Sequence, residues 1–89
     1  MHPGETTSSW ALHGLIIFLL SKSKVANKLR SKTVFKIFTI LNLDGVIAGN
    51  TRTTIAGLDM NRMFEDKANK RLNPEAKMLR EYAKKEVRP

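Results

Sequence analysis

The sequence contains no cysteine, so neither disulfide bonds nor thiolate metal sites can stabilise its fold. Histidine is scarce too, and the spacing of His2 and His13 is not a recognisable metal-ligand pattern. A chain of 89 residues forms one small domain at most. In such a small scaffold the free energy gained by hydrophobic burial barely exceeds the conformational entropy lost on folding. We therefore predict no metal and no cofactor, and expect other protein subunits or lipid to supply part of the stability.

Catalytic motifs are also missing from the sequence. Serine and threonine are plentiful, yet no nucleophile elbow, phosphate-binding loop or HExxH pattern occurs. His13 lies within an apolar run and is interpreted as a packed or interface histidine. Asp44 and Asp59 are interpreted as turn and helix-cap residues. These observations predict no catalytic residue and no enzymatic activity, and no motif identifies a protein family.

Acidic residues are absent from residues 21–43, where much of the net charge of +8 is concentrated. An uncompensated patch of this kind suits nucleic-acid phosphates, anionic lipid headgroups or an acidic protein surface. A solvated helix face is the simpler alternative. We favour anionic lipid, with nucleic acid as the second candidate, and predict that these residues contact the anionic partner: Lys22, Lys24, Lys28, Arg30, Lys32 and Lys36.

The longest apolar run, Trp10 to Leu20, carries no charge. It is shorter than the roughly 20 residues that a membrane-spanning helix needs. Two interpretations of the run therefore stay open: a core or interface helix, and a short membrane-spanning helix. A cleaved signal is disfavoured because no positive charge precedes the run and no small-residue cleavage site follows it. The predicted membrane or partner contacts are Trp10, Leu15, Ile16, Phe18 and Leu19.

Hydrophobic periodicity predicts a mostly α fold with helices at about 10–29, 33–44, 60–72 and 74–87. Residues 33–44 also suit a strand, because valine, isoleucine, phenylalanine and threonine dominate them. Residues 45–58 are predicted to be an irregular connection, either a hairpin around Gly49 and Asn50 or a loop. Gly45 and Gly49 are interpreted as a turn or, less favoured, as a close helix-packing pair. Asn73, Pro74 and Glu75 mark the clearest helix start.

The chain is accordingly divided into four segments. These are an extended polar arm at 1–9, an apolar helix with its basic flank at 10–32, an apolar segment and loop at 33–58, and a charged amphipathic region at 59–89. Together they predict a small non-enzymatic accessory or structural subunit of a membrane-associated assembly, in the mitochondrial inner membrane. The alternative is a basic nucleic-acid-binding protein of ribosomal or viral-capsid type.

Overall fold

A computed structural model describes residues 1–64 and 72–86 of the chain. More than half of these residues are helical, and no strand occurs among them. The helices are α1 (Thr6–Leu20), α2 (Lys24–Lys32), α3 (Leu43–Ile47), a short 3₁₀ helix (Met60–Arg62) and α4 (Pro74–Glu86). The chain divides into two compact units, one of Thr6–Thr39 and one of Met1–Glu5 with Ile40–Pro89.

The first unit is a pair of helices, where one continuous helix over 10–29 was predicted. The prediction is wrong at residues 21–23, which separate α1 from α2. Ser23 caps α2, because its hydroxyl accepts a hydrogen bond from the Ala26 amide at 3.4 Å. Arg30 of α2 donates to the carbonyls of Leu19 and Ser21. The α1 end is thus held by a guanidinium, and Leu19 and Ala26 are buried between the two helices.

Residues 33–42 are not helical, so the predicted helix over 33–44 is wrong for most of its length. Thr33 ends α2 in an extended conformation, with φ of −138° and ψ of 133°. The β-branched and aromatic side chains that follow favour extended backbone over helix. Helix resumes only at Leu43, after Asn42 accepts the Gly45 amide hydrogen at 3.0 Å.

The second unit contains α3, the 3₁₀ helix and α4. Asn73 caps α4 by accepting from the Ala76 amide at 3.3 Å, and Pro74 occupies the first helical position. The element ends at Glu86, close to the predicted 74–87, and Val87 lies outside the described residues. The predicted helix over 60–72 is reduced to Met60–Arg62 among the described residues. Its predicted continuation through 65–71 lies outside them.

Residues 48–58 connect α3 to the 3₁₀ helix as a loop of successive turns. Gly49 and Gly57 adopt positive φ values of 74° and 77°, a conformation that glycine takes without strain. The Thr54 amide donates to the Leu58 carbonyl at 2.8 Å, and the Gly57 amide donates to the Thr54 carbonyl at 2.9 Å. This loop places Arg52 and Asp59 near the first residues of the chain.

Candidate metal-ligand site around His2

His2 lies between two carboxylates. Its Nδ1 is 2.9 Å from Glu5 Oε1, and its Nε2 is 2.9 Å from Asp59 Oδ1. The His2 side chain is only 8% exposed, whereas that of Glu5 is 62% exposed. Both ring nitrogens are therefore oriented by the protein, with the Nδ1 edge facing the more open side of the site.

A backbone hydrogen bond and a close backbone approach bring the His2 segment against the loop. The Gly4 amide donates to the Thr51 carbonyl at 2.8 Å. A Cβ atom on Gly4 would lie 2.8 Å from that same carbonyl oxygen, closer than real Cβ atoms approach. Glycine is consequently required at this position for close approach of the two backbones.

The buried Asn42 side chain adds a second connection between the same segments. Its amide nitrogen donates to the Met1 carbonyl at 3.4 Å and to the Thr53 carbonyl at 3.1 Å. Because its oxygen also caps α3 through Gly45, one side chain ties that helix to both site-bearing segments. The position of His2 relative to Asp59 thus depends on α3.

Asp59 uses both of its carboxylate oxygens. Oδ1 accepts from the Asn61 amide at 3.0 Å as the N-cap of the 3₁₀ helix, in addition to its contact with His2. Oδ2 accepts from Arg52 Nε at 2.7 Å. The expected capping role is therefore present, but the same carboxylate also orients an imidazole and a guanidinium.

The electrostatics of the cluster follow from these contacts. The hydrogen bond to Asp59 raises the pKa of His2 above its ordinary value of 6.5, and the bond to Glu5 acts in the same direction. The His2 contact, assisted by Arg52, lowers the pKa of Asp59 from 3.8 to about 2. Without a metal ion, the two carboxylates thus favour the protonated form of the imidazole, and the imidazole favours the ionised form of Asp59.

A metal ion fits the exposed side of this arrangement. Metal-ligating histidines usually donate their second ring N–H to a carboxylate, which is the relation of His2 Nε2 to Asp59. Donors bound to tetrahedral zinc lie about 3.4 Å apart, from bond lengths near 2.1 Å. His2 Nδ1 and Glu5 Oε1 are at the hydrogen-bond distance of 2.9 Å, so a small outward movement would bring them to that separation. His2 and Glu5 are thus suited to be two ligands of one ion.

A catalytic zinc site uses three protein ligands. Across residues 1–64 and 72–86, no group of three or more histidine, cysteine, aspartate and glutamate side chains is arranged to hold a metal. Asp59 is directed at the ring nitrogen of His2 rather than at the position a metal would take. The described residues therefore offer two candidate ligands, His2 and Glu5, one fewer than such a site uses.

Comparison with known proteins decides the family. Residues 1–88 match the model of the zinc carboxypeptidase family. The chain belongs to the zinc carboxypeptidase family. It is 46% identical over 85 residues to cytosolic carboxypeptidase 1 of Danio rerio, covering 92% of this chain and 7% of the relative. No solved structure matches it.

Two further relatives agree with the family assignment. Cytosolic carboxypeptidase 2 of Mus musculus is 49% identical over 65 residues, which are 73% of this chain and 8% of the relative. Cytosolic carboxypeptidase 6 of Caenorhabditis elegans is 52% identical over 64 residues, which are 72% of this chain and 14% of the relative. The chain thus spans less than a sixth of the length of each of these relatives.

The family overturns the functional predictions made from the sequence. A non-enzymatic structural or accessory subunit is wrong for a chain that belongs to a family of zinc peptidases. Placement in a membrane-associated assembly of the mitochondrial inner membrane is wrong as well, because the relatives are named cytosolic enzymes. None of the helices in the described ranges is long and apolar enough to cross a membrane.

The structure disperses the residues that the sequence singled out as contacts. Trp10 is 72% exposed on α1, Leu15 and Phe18 are also exposed, Ile16 is half-buried, and Leu19 is buried. The basic residues are exposed on α2 and in the segments beside it, at Lys22, Lys24, Lys28, Arg30, Lys32 and Lys36. Contact of either set with lipid, nucleic acid or a protein partner stays a prediction. Gly45 lies within α3, and Gly49 forms the turn after it.

The site residues that the sequence reasoning missed are His2, Glu5 and Arg52, together with the second role of Asp59. One local signal was present, since a histidine and a glutamate three residues apart can turn toward one ion. The sequence reasoning considered only the spacing of His2 and His13, and it interpreted residues 1–9 as a polar arm. The Asp59 contact joins residues 57 positions apart and has no local sequence signal.

Proposed function

We propose that this chain contributes two metal ligands and an anion-binding arginine to the active site of a zinc-dependent carboxypeptidase, which hydrolyses the last peptide bond of a polypeptide. The observation that carries the proposal is the orientation of His2, with Nδ1 at Glu5 and Nε2 at Asp59. Membership of the zinc carboxypeptidase family supports the same reading. The third ligand comes from outside the described residues.

His2 and Glu5 would hold the ion, and Asp59 would keep the imidazole in the tautomer that presents Nδ1. A bound zinc ion lowers the pKa of its water and polarises the scissile carbonyl. Neither effect requires a nucleophilic side chain, which agrees with the absence of nucleophile motifs in the sequence. The chemistry of this chain is therefore one of positioning and charge.

Arg52 supplies the charge that a carboxypeptidase needs. Its Nε is bound to Asp59, and no hydrogen bond of its two terminal nitrogens occurs among the described residues. Two terminal N–H groups in a fixed plane suit a carboxylate or a developing oxyanion. The side chain is 49% exposed, so a peptide end can reach it. We assign Arg52 to binding an anionic oxygen of the substrate.

A cytosolic location accompanies the proposal, inferred from the names of the relatives. Fractionation of source cells, followed by detection of the chain, should recover it in the cytosol. Recovery with membranes after salt washing would contradict this location.

The function is tested by transferring this chain into a relative. The segment of the Danio rerio carboxypeptidase aligned with this chain would be replaced by it, and release of C-terminal amino acids from peptides would be measured. We expect an active chimera that a chelator inactivates and zinc restores. The variant His2→Gln should lose both activity and bound zinc.

The two histidines of the chain provide a matched control. His13 is exposed on α1, so the variant His13→Gln changes the same residue type away from the site and should keep both zinc and activity. Circular dichroism would establish that the chimera and both variants share one fold. A folded chimera in which His2→Gln retains stoichiometric zinc would overturn the assignment of His2 as a ligand.

A further inference from the structure

The two oxygens of Asp59 contact different functional side chains. Oδ1 accepts from His2 at 2.9 Å, and Oδ2 accepts from Arg52 at 2.7 Å. The Asp59 side chain is 21% exposed, and the residue is fixed in place as the N-cap of the 3₁₀ helix. One planar group thus stands between the proposed metal ligand and the proposed substrate-binding cation.

The geometry of a carboxylate makes these two contacts interdependent. Its oxygens are rigidly joined, so a rotation that improves one hydrogen bond changes the direction of the other. Within the described part of the chain, Arg52 is held through Nε, and the orientation of its terminal nitrogens therefore follows the Asp59 plane. Likewise, the Nδ1 direction of His2 follows the hydrogen bond at Nε2.

We propose that Asp59 is a positioning residue that couples metal binding at His2 to anion binding at Arg52. The inference rests on the proposed function, because it takes His2 as a ligand and Arg52 as the anion-binding group. Fixing His2 on a metal orders the Asp59 carboxylate, so less ordering remains when an anion engages Arg52. By linkage, an anion at Arg52 strengthens metal binding by the same factor.

The coupling is measured in the full chain as the change in zinc affinity caused by phenylacetate, a probe for a C-terminal carboxylate. Titration calorimetry should show zinc binding about fivefold to tenfold tighter with saturating phenylacetate, within the usual range of coupling between sites. Asp59→Asn keeps an acceptor for His2 but presents an amide N–H toward Arg52. This variant should bind zinc about tenfold more weakly than the parent, because the carboxylate behind the ligating histidine is lost, and should show no phenylacetate effect.

A metal-free readout separates this inference from the proposed function. The Arg52 Nε–H proton should exchange slowly with solvent, as seen by nitrogen-15 NMR. Exchange should accelerate in Asp59→Asn and, to a smaller degree, in His2→Gln, but not in His13→Gln. Acceleration in His2→Gln would support the connection through Asp59 even if zinc failed to bind, an outcome that would sink only the proposed function.

The opposite outcomes refute the coupling. If Asp59→Asn retained the phenylacetate effect in full, the carboxylate would not transmit it. The parent chain could bind zinc while the Arg52 Nε–H proton exchanged at the same rate in the parent and in His2→Gln. In that case the His2 and Arg52 contacts of Asp59 would be independent. Either result would reduce Asp59 to a helix cap with two separate neighbours.

Discussion

Replacement of Gly45 by alanine tests whether Asn42 holds the site-bearing segments together. Gly45 lies within α3, where alanine is favoured over glycine by about 1 kcal/mol. A Cβ atom there would lie 2.5 Å from Asn42 Oδ1 and 2.7 Å from its Nδ2. The Asn42 side chain would have to move, and it is buried and makes hydrogen bonds to Met1, Thr53 and Gly45.

The magnitudes decide the sign of the effect. Each of the three hydrogen bonds contributes about 1 kcal/mol, so displacing the amide costs about 2–3 kcal/mol. The gain in helix propensity offsets about 1 kcal/mol of this cost. We therefore expect Gly45→Ala to lower the free energy of unfolding by about 1–2 kcal/mol.

Gly14 provides the matched control for this prediction. It lies in α1, and a Cβ atom built there meets nothing within 4 Å. Gly14→Ala should raise the free energy of unfolding by about 0.5–1 kcal/mol. Urea titration of the full chain, followed by circular dichroism, measures both variants. Equal stabilisation by the two substitutions would refute the Asn42 argument.

Three further predictions concern the site and the basic run. Gly4→Ala should push the His2 segment away from Thr51 and weaken zinc binding by the chimera, while Gly14→Ala leaves it unchanged; equal zinc affinities would contradict the close-approach argument. In metal-free chain, the His2–Asp59 pair stabilises the fold most between about pH 4 and 6.5: its contribution falls as pH rises through the raised pKa of His2 and as pH drops from 3.8 toward the Asp59 pKa of about 2. The urea midpoint should pass through this maximum as pH is varied, and in His2→Gln its fall on the alkaline side should disappear. A pH profile unchanged in His2→Gln would count against the ion pair. If the basic run binds anions, charge reversal at Lys22, Lys24 and Lys28 should abolish salt-sensitive binding to anionic vesicles and RNA, whereas equal binding to neutral vesicles would exclude an electrostatic contact.

The sequence predicts those elements whose signals are local. Asn73 and Pro74 define the start of α4, because a capping amide followed by a proline suits the first positions of a helix. Residues 33–42 were wrongly predicted to be helical, because over so short a run their apolar spacing fits the helix period as well as the strand period. Arg30 closing the end of α1 is a tertiary contact that periodicity does not encode.

The site was missed for a related physical reason. His2 and Glu5 are close in sequence, but the orientation of the His2 ring depends on Asp59, which lies 57 residues away. Asp59 itself has a sufficient local explanation as a cap, so no unexplained residue remained to prompt a search. A site built from one short motif and one distant carboxylate becomes visible only when the loop after α3 is folded back.

The central claim is that His2 is a zinc ligand whose second ring nitrogen is held by Asp59. Zinc content of the purified chimera, measured by mass spectrometry beside peptide hydrolysis, tests it most directly. We expect one zinc ion per chimera, its loss together with activity in His2→Gln, and retention of both in His13→Gln. Full zinc occupancy in folded His2→Gln, or equal loss in the two histidine variants, would contradict the claim.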